Sequence, residues 1–158
     1  NVRVIALYPD LSVLNVSNVL RSYSITPCLA SLADARMVLD FDLTSDLVVL
    51  VDTGMSQQGI PAQDAPALSR MLANRRTSKL LVLSHLANSE NRSAIENRQQ
   101  LSSFLSICAE LQPDERSLAA SAGIMLGSDF HFDLIRTGDA LFGINPLASF
   151  PAPTRPVL

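Results

Sequence analysis

The chain is 158 residues long, with 47% hydrophobic and 17% charged residues. That size and composition support one soluble globular domain with a core of its own and argue against disorder. The formal net charge is −3 and Lys and Arg are scattered, so there is no basic field for nucleic acid, and none is expected as a partner. Apolar runs such as residues 47–51 and 80–83 fall far short of the roughly 20 residues of a membrane helix. Without a span or a signal-peptide pattern at the start, the expectation is a cytoplasmic protein with no membrane partner.

Short β-rich runs alternate with helical patterns from end to end. Strands are predicted over residues 2–8, 24–29, 47–51, 80–84, 117–119 and 132–136, and helices over 13–22, 32–39, 65–74 and about 94–111. The runs Val-Ile-Ala-Leu, Leu-Val-Val-Leu-Val and Leu-Leu-Val-Leu are nearly unbroken apolar, which suits strands covered on both faces. The expected class is therefore α/β with a parallel sheet, either doubly wound or closed as a barrel. Ser93 with Glu96 has capping-box spacing, and Asp64 precedes Ala65-Pro66 as a second helix start. Cys28 and Cys108 fall inside apolar elements and read as small hydrophobes, with neither a disulfide framework nor a metal site suggested. Residues 146–156 hold four prolines and read as a linker. Asn1 in place of Met, and an apolar run just beginning at the far end, lead to the expectation of a piece of a longer chain.

In parallel α/β folds the residues just past the strand C-termini line the site. Four polar exits follow: Asp52-Thr53-Gly54-Met55, Ser84-His85, Ser121-Ala122-Gly123 and Arg136-Thr137-Gly138-Asp139. In the last two, small residues, a serine hydroxyl and a helix start could form an anion site for a phosphorylated ligand, or could simply turn the chain. His85 could stack on an aromatic cofactor or move protons, although a lone histidine is more often structural. Asp52 could act as a base or ligand, although an aspartate before Thr-Gly more often hydrogen-bonds its own turn, and His131 is expected to be a packing or surface residue. Arg136 must find an anion, a carbonyl or a ring nitrogen, with a surface salt bridge as the plain alternative. Residues 88–100 read as a solvated loop and helix start with no chemistry.

Taken in order, Val51-Asp52-Thr53-Gly54-Met55, Ser84-His85-Leu86-Ala87, Asn97-Arg98-Gln99-Gln100-Leu101, residues 117–124 (Ser-Leu-Ala-Ala-Ser-Ala-Gly-Ile) and Phe132-Asp133-Leu134-Ile135-Arg136-Thr137-Gly138 resemble segments of bacterial alanine racemases, and Ala140-Leu141-Phe142-Gly143 with Asn145-Pro146 continues the likeness. The resemblance implies a (β/α) barrel of the TIM type holding pyridoxal phosphate. Residues 1–146 would supply about strands three to eight of that incomplete barrel, and 147–158 a linker toward a C-terminal β domain. It implies Ser121, Gly138 and Asp139 at the phosphate, His85 stacked on the pyridine ring, Arg136 at the pyridine nitrogen, alanine as substrate and a homodimer. The family's Schiff-base lysine and tyrosine base fall outside this stretch, so the chain alone is expected to be inactive. Gln57 and Leu50 stand where the family usually has an arginine and a lysine, Ala120 replaces Asn, Thr137 Pro, Asp139 an apolar residue and Phe142 Tyr. These departures keep open a degenerate, non-catalytic homologue that binds a phosphorylated ligand or a protein partner, beside a lesser reading as an unrelated parallel α/β module.

Overall fold

The computed structural model describes residues 2–41, 46–73 and 79–147. Strands β1 (Val4–Ala6), β2 (Ile25–Leu29), β3 (Leu47–Asp52), β4 (Ile60–Pro61), β5 (Leu80–Leu83) and β6 (Glu115–Ser117) alternate with helices α1 (Val16–Ser22), α2 (Leu32–Asp40), α3 (Ala65–Leu72), α4 (Ile95–Leu111) and α5 (Ser121–Ile124). Every strand pair is parallel. The main order is β1-β2-β3-β5-β6, with β4 attached to β3. A strand order that never reverses belongs to a (β/α) barrel of the TIM type, here incomplete, and not to a doubly wound sheet, whose order switches direction.

The unbroken apolar strands divide their residues between two cores. On β3, Leu47, Val49 and Val51 join Leu68, Leu72, Phe104 and Ile107 of the helices, while Val48 and Leu50 turn the other way and pack with Cys28, Leu81 and Leu83. The second cluster is completed by Ile5, Ala30 and Leu134, a layer of the kind that fills a barrel interior. Burying each such Leu or Val stabilises the fold by about 1.5–3 kcal/mol before entropy. Cys28 and Cys108 are free and buried, and burial pushes their thiols up to about 12 and about 11. Among the described residues no helix is long and apolar enough to cross a membrane.

Several sequence expectations need correction. Residues 132–136 form no strand: Phe132 takes φ 54°, and the Asp133 and Leu134 N–H groups both turn onto the Arg116 carbonyl. Pairing survives as one parallel bridge between Ala120 and Arg136, because Phe132 is drawn edge-on against Phe104, 5.2 Å between ring centroids. The strand expected at 117–119 lies at Glu115–Ser117, and the one expected over 2–8 is confined to Val4–Ala6. The Ser93 capping box does not form, since Ala94 precedes α4 without a side-chain cap and Ser93 Oγ donates to Asn91 Oδ1 at 2.8 Å. Asp64 precedes α3 but makes no side-chain cap bond. Ser31 does cap α2, accepting from the Asp34 N–H at 3.0 Å, and Asp34 Oδ2 accepts from the Ala30 N–H at 3.0 Å. β4 was not anticipated; it closes on β3 through Gly59, where φ is +113° and a Cβ would stand 2.8 Å from the Asp52 nitrogen. All of the expected linker after Leu147 lies outside the described residues.

Candidate functional site

The strand exits assemble one rim. Behind β3, Asp52 Oδ1 accepts from the N–H groups of Gly54, Met55 and Ser56 at 2.9, 3.0 and 3.1 Å. This is the self-contained turn expected of an Asp before Thr-Gly, and it commits the carboxylate to its own loop. Behind β5, Ser84 is buried and donates to the Val51 carbonyl at 2.8 Å, while Thr53 Oγ1 lies 2.9 Å from Ser84 Oγ. His85 follows, exposed at the rim. Partial desolvation of the ring first, and the Arg136 charge second, hold its imidazole below the ordinary pKa.

Arg136 does not form the surface salt bridge that was its plain alternative. Its guanidinium is taken by the carbonyls of Ser84 and Leu118 through Nη2, and by Ser117 through Nη1, at 2.7 Å to the hydroxyl and 3.1 Å to the carbonyl. These acceptors are uncharged strand ends, among the described residues no carboxylate pairs with the charge, and partial burial lowers its pKa. Nε is left without a partner among the described residues. The guanidinium borders a cavity of about 200 Å³ with His85, Tyr8, Asp52, Leu50 and Gln57 among its lining, room for a single aromatic ring rather than a drug-sized ligand. Leu50 and Gln57, two of the departures from the family pattern, thus face the same space.

Ser121 is buried, and its Oγ accepts from the Gly138 N–H at 2.9 Å and the Ala140 N–H at 3.3 Å. The structure therefore brings Ser121 and Gly138 together across 17 residues. Asp139 opens an exposed 3₁₀ turn (Asp139–Phe142) and does not bond Ser121; Ala140, not singled out from the sequence, does. α5 is a single turn of 4 residues, so the helix field expected there has little to sum over. His131 is half-buried, its Nε2 against the Ile124 carbonyl at 2.9 Å, a packing role. Among the described residues no group of three potential metal ligands occurs.

The sequence reading placed Gln100 at the end of a solvated segment, 88–100, with no chemistry, and the structure corrects that. Gln100 is 3% exposed on α4, and its amide joins Ala87, His85 and Thr53 at 2.8, 2.9 and 3.0 Å. The available signal was phase: Asn97 and Gln100 share the stripe of Leu101, Phe104, Ile107, Cys108 and Leu111, so they lie on the buried face despite being polar.

The family described as "Alanine racemase, N-terminal domain" matches residues 3–146. The chain belongs to the alanine racemase family. It is similar to the biosynthetic alanine racemase of Agrobacterium fabrum, 44% identical over 108 residues, which cover 68% of this chain and 28% of that protein. It is 32% identical to the alanine racemase of Rickettsia rickettsii over 161 residues, covering 92% of this chain and 44% of the relative. The crystal structure of alanine racemase from Bartonella henselae with covalently bound pyridoxal phosphate superposes with a TM-score of 0.84 at 30% identity, over 99% of this chain and 46% of that one. The chain thus spans less than half the length of these relatives.

Proposed function

We propose that this chain forms the cofactor-binding barrel portion of a pyridoxal-phosphate-dependent racemase that interconverts L- and D-alanine. The observation that carries the reading is Arg136: a half-buried guanidinium, steadied by strand-end carbonyls and, among the described residues, by no carboxylate, with Nε still able to donate beside a ring-sized cavity. A partly desolvated cation with no negative partner is costly unless its donors are used, and an aromatic nitrogen acceptor answers that need. The residues present fit the group. Ser121, whose hydroxyl proton is uncommitted, would hold the phosphate with the backbone of Gly138 and Asp139, and the His85 imidazole would lie against the ring.

When bound, pyridoxal phosphate supplies an electron-withdrawing ring that eases loss of the substrate Cα proton. Arg136 would keep the ring nitrogen as a hydrogen-bond acceptor, because a guanidinium hardly ever surrenders its proton. The relatives' names support alanine as the substrate. Residues 1–146 are read as barrel and 147–158 as leading toward a further domain, in a cytoplasmic homodimer whose proton-transferring bases lie outside this stretch.

A second reading, binding of a phosphorylated ligand without catalysis, is favoured by Leu50 and Gln57. With them neutral, Arg136 is the cation among the described residues lining the cavity. The test is to load the full-length protein with pyridoxal phosphate, follow its absorbance before and after borohydride, and measure exchange of the alanine Cα proton with deuterium. A reducible band with exchange is expected, and Ser121→Ala should weaken cofactor binding about tenfold. A band without exchange would support the binding-only reading, and no band would overturn the racemase reading.

A further inference from the structure

The turn that carries His85 is gripped from behind by a side chain that does not border the cavity. Gln100 Oε1 accepts from the Ala87 N–H at 2.8 Å, and Nε2 donates to the His85 carbonyl at 2.9 Å and to Thr53 Oγ1 at 3.0 Å. A primary amide has two donors on nitrogen and acceptor capacity on oxygen, so this partner set fixes which way it faces. Reversed, it would set an NH₂ against the Ala87 N–H and an oxygen against the His85 carbonyl. The two peptide groups it holds flank Leu86, buried in the outer core. Three consecutive residues are thereby pinned, and the His85 imidazole is what remains at the rim.

The third bond reaches the other side of the cavity. Ser84 has one hydroxyl proton, committed to the Val51 carbonyl at 2.8 Å, so in the 2.9 Å contact Thr53 is the donor and Ser84 accepts. Gly54, next to Thr53, lies against the same glutamine; a Cβ there would meet Gln100 Cγ at 3.4 Å. We propose that Gln100 is a positioning residue that sets the His85 ring against the Asp52-to-Met55 turn, and through that spacing the fit of the cavity to an aromatic cofactor. Its functional consequence rests on the pyridoxal-phosphate reading above.

The experiment compares Gln100→Leu and Gln100→Glu in the full-length protein, each alone and combined with His85→Ala. Three quantities are read: the imidazole titration of His85 by NMR, exchange of the Ala87 amide, and affinity for pyridoxal phosphate by fluorescence. Gln100→Leu should move the His85 titration up toward that of a free imidazole, speed Ala87 exchange, and weaken cofactor binding about tenfold. In the His85→Ala background the same change should cost less than about twofold, because the residue acts through His85. Gln100→Glu should recover affinity relative to the parent at equal pH as its carboxyl protonates and regains a donor. An unchanged His85 titration and Ala87 exchange, or a loss undiminished without the imidazole, would overturn the proposal. Should Gln100→Leu fail to fold, Gln100→Glu decides by the same readings. A parent protein that binds no pyridoxal phosphate would sink the functional reading, while the titration and exchange still judge the role of Gln100.

Discussion

The two sides of the strand-exit rim are built differently. Behind β3 and β5, the turns are fastened by buried side chains: Gln100, Thr53 and Ser84 bond one another and the backbone of both loops, and Asp52 closes its own turn. At the exits around Ser121 and Arg136 the chain is held by the Ala120–Arg136 bridge, the Arg136 guanidinium and the single oxygen of Ser121, while the segment between them is fastened farther back, by Asp133 and Leu134 on Arg116 and by Phe132 against Phe104. The first side has a preset shape. The second gathers the Gly138 and Ala140 N–H groups on one hydroxyl oxygen, whose own proton is left to donate.

Substitutions can test how deep that difference runs. The largest contrast should come from two glycines. Gly59→Ala puts a Cβ 2.8 Å from the Asp52 nitrogen and 2.9 Å from the Val51 carbonyl carbon at φ +113°, and should cost about 3 kcal/mol in urea unfolding. Gly138→Ala, at φ −108° with Ser121 Oγ at 3.9 Å, should stay within about 0.5 kcal/mol. Equal losses would erase the distinction between a rigid and a compliant side.

Arg136 is the link between the sides, since Nη2 reaches the Ser84 carbonyl and Nη1 reaches Ser117. Arg136→Met keeps much of the volume but strands those acceptors, and about 2 kcal/mol of stability should go with it. A loss confined to amides near Ser117 in hydrogen exchange would show that the link serves one side alone.

The smallest effect is in pH. His85 has a folded pKa below its ordinary 6.5, so on acidification the unfolded chain takes up this proton first. Stability present above that value should fall as pH drops below 6.5. The urea midpoint should decrease from about pH 7.5 to about pH 5.5, and His85→Asn should shrink that decrease. An unaltered decrease would place the titration in other groups.

The strands were readable because their coverage on two faces leaves a direct mark: both Val48 and Val49 must be apolar when one faces the interior and the other the helices. Asp52 was readable because its partners lie within four residues. β4 was not, since Ile60–Pro61 is too short to carry a period. The segment at 132–136 misled because its apolar residues serve different neighbours: Phe132 packs on the outer core, Leu134 on the interior layer, and Ile135 stays exposed. Ser121 and Gly138 were separately visible as turn residues, but their bond depends on how two distant exits are placed. Gln100 escaped because polarity was weighed ahead of helical phase.

The bonds running from Gln100 through Thr53 and Ser84 to Val51 all point one way, beginning at an amide and ending at a peptide carbonyl. Neither end gains or loses a charge near neutrality. The path is therefore a dead end for proton conduction, electrically quiet at any pH where the fold survives. Proton traffic through this rim would have to use the imidazole or groups entering from the open side of the cavity, while the buried chain keeps its shape.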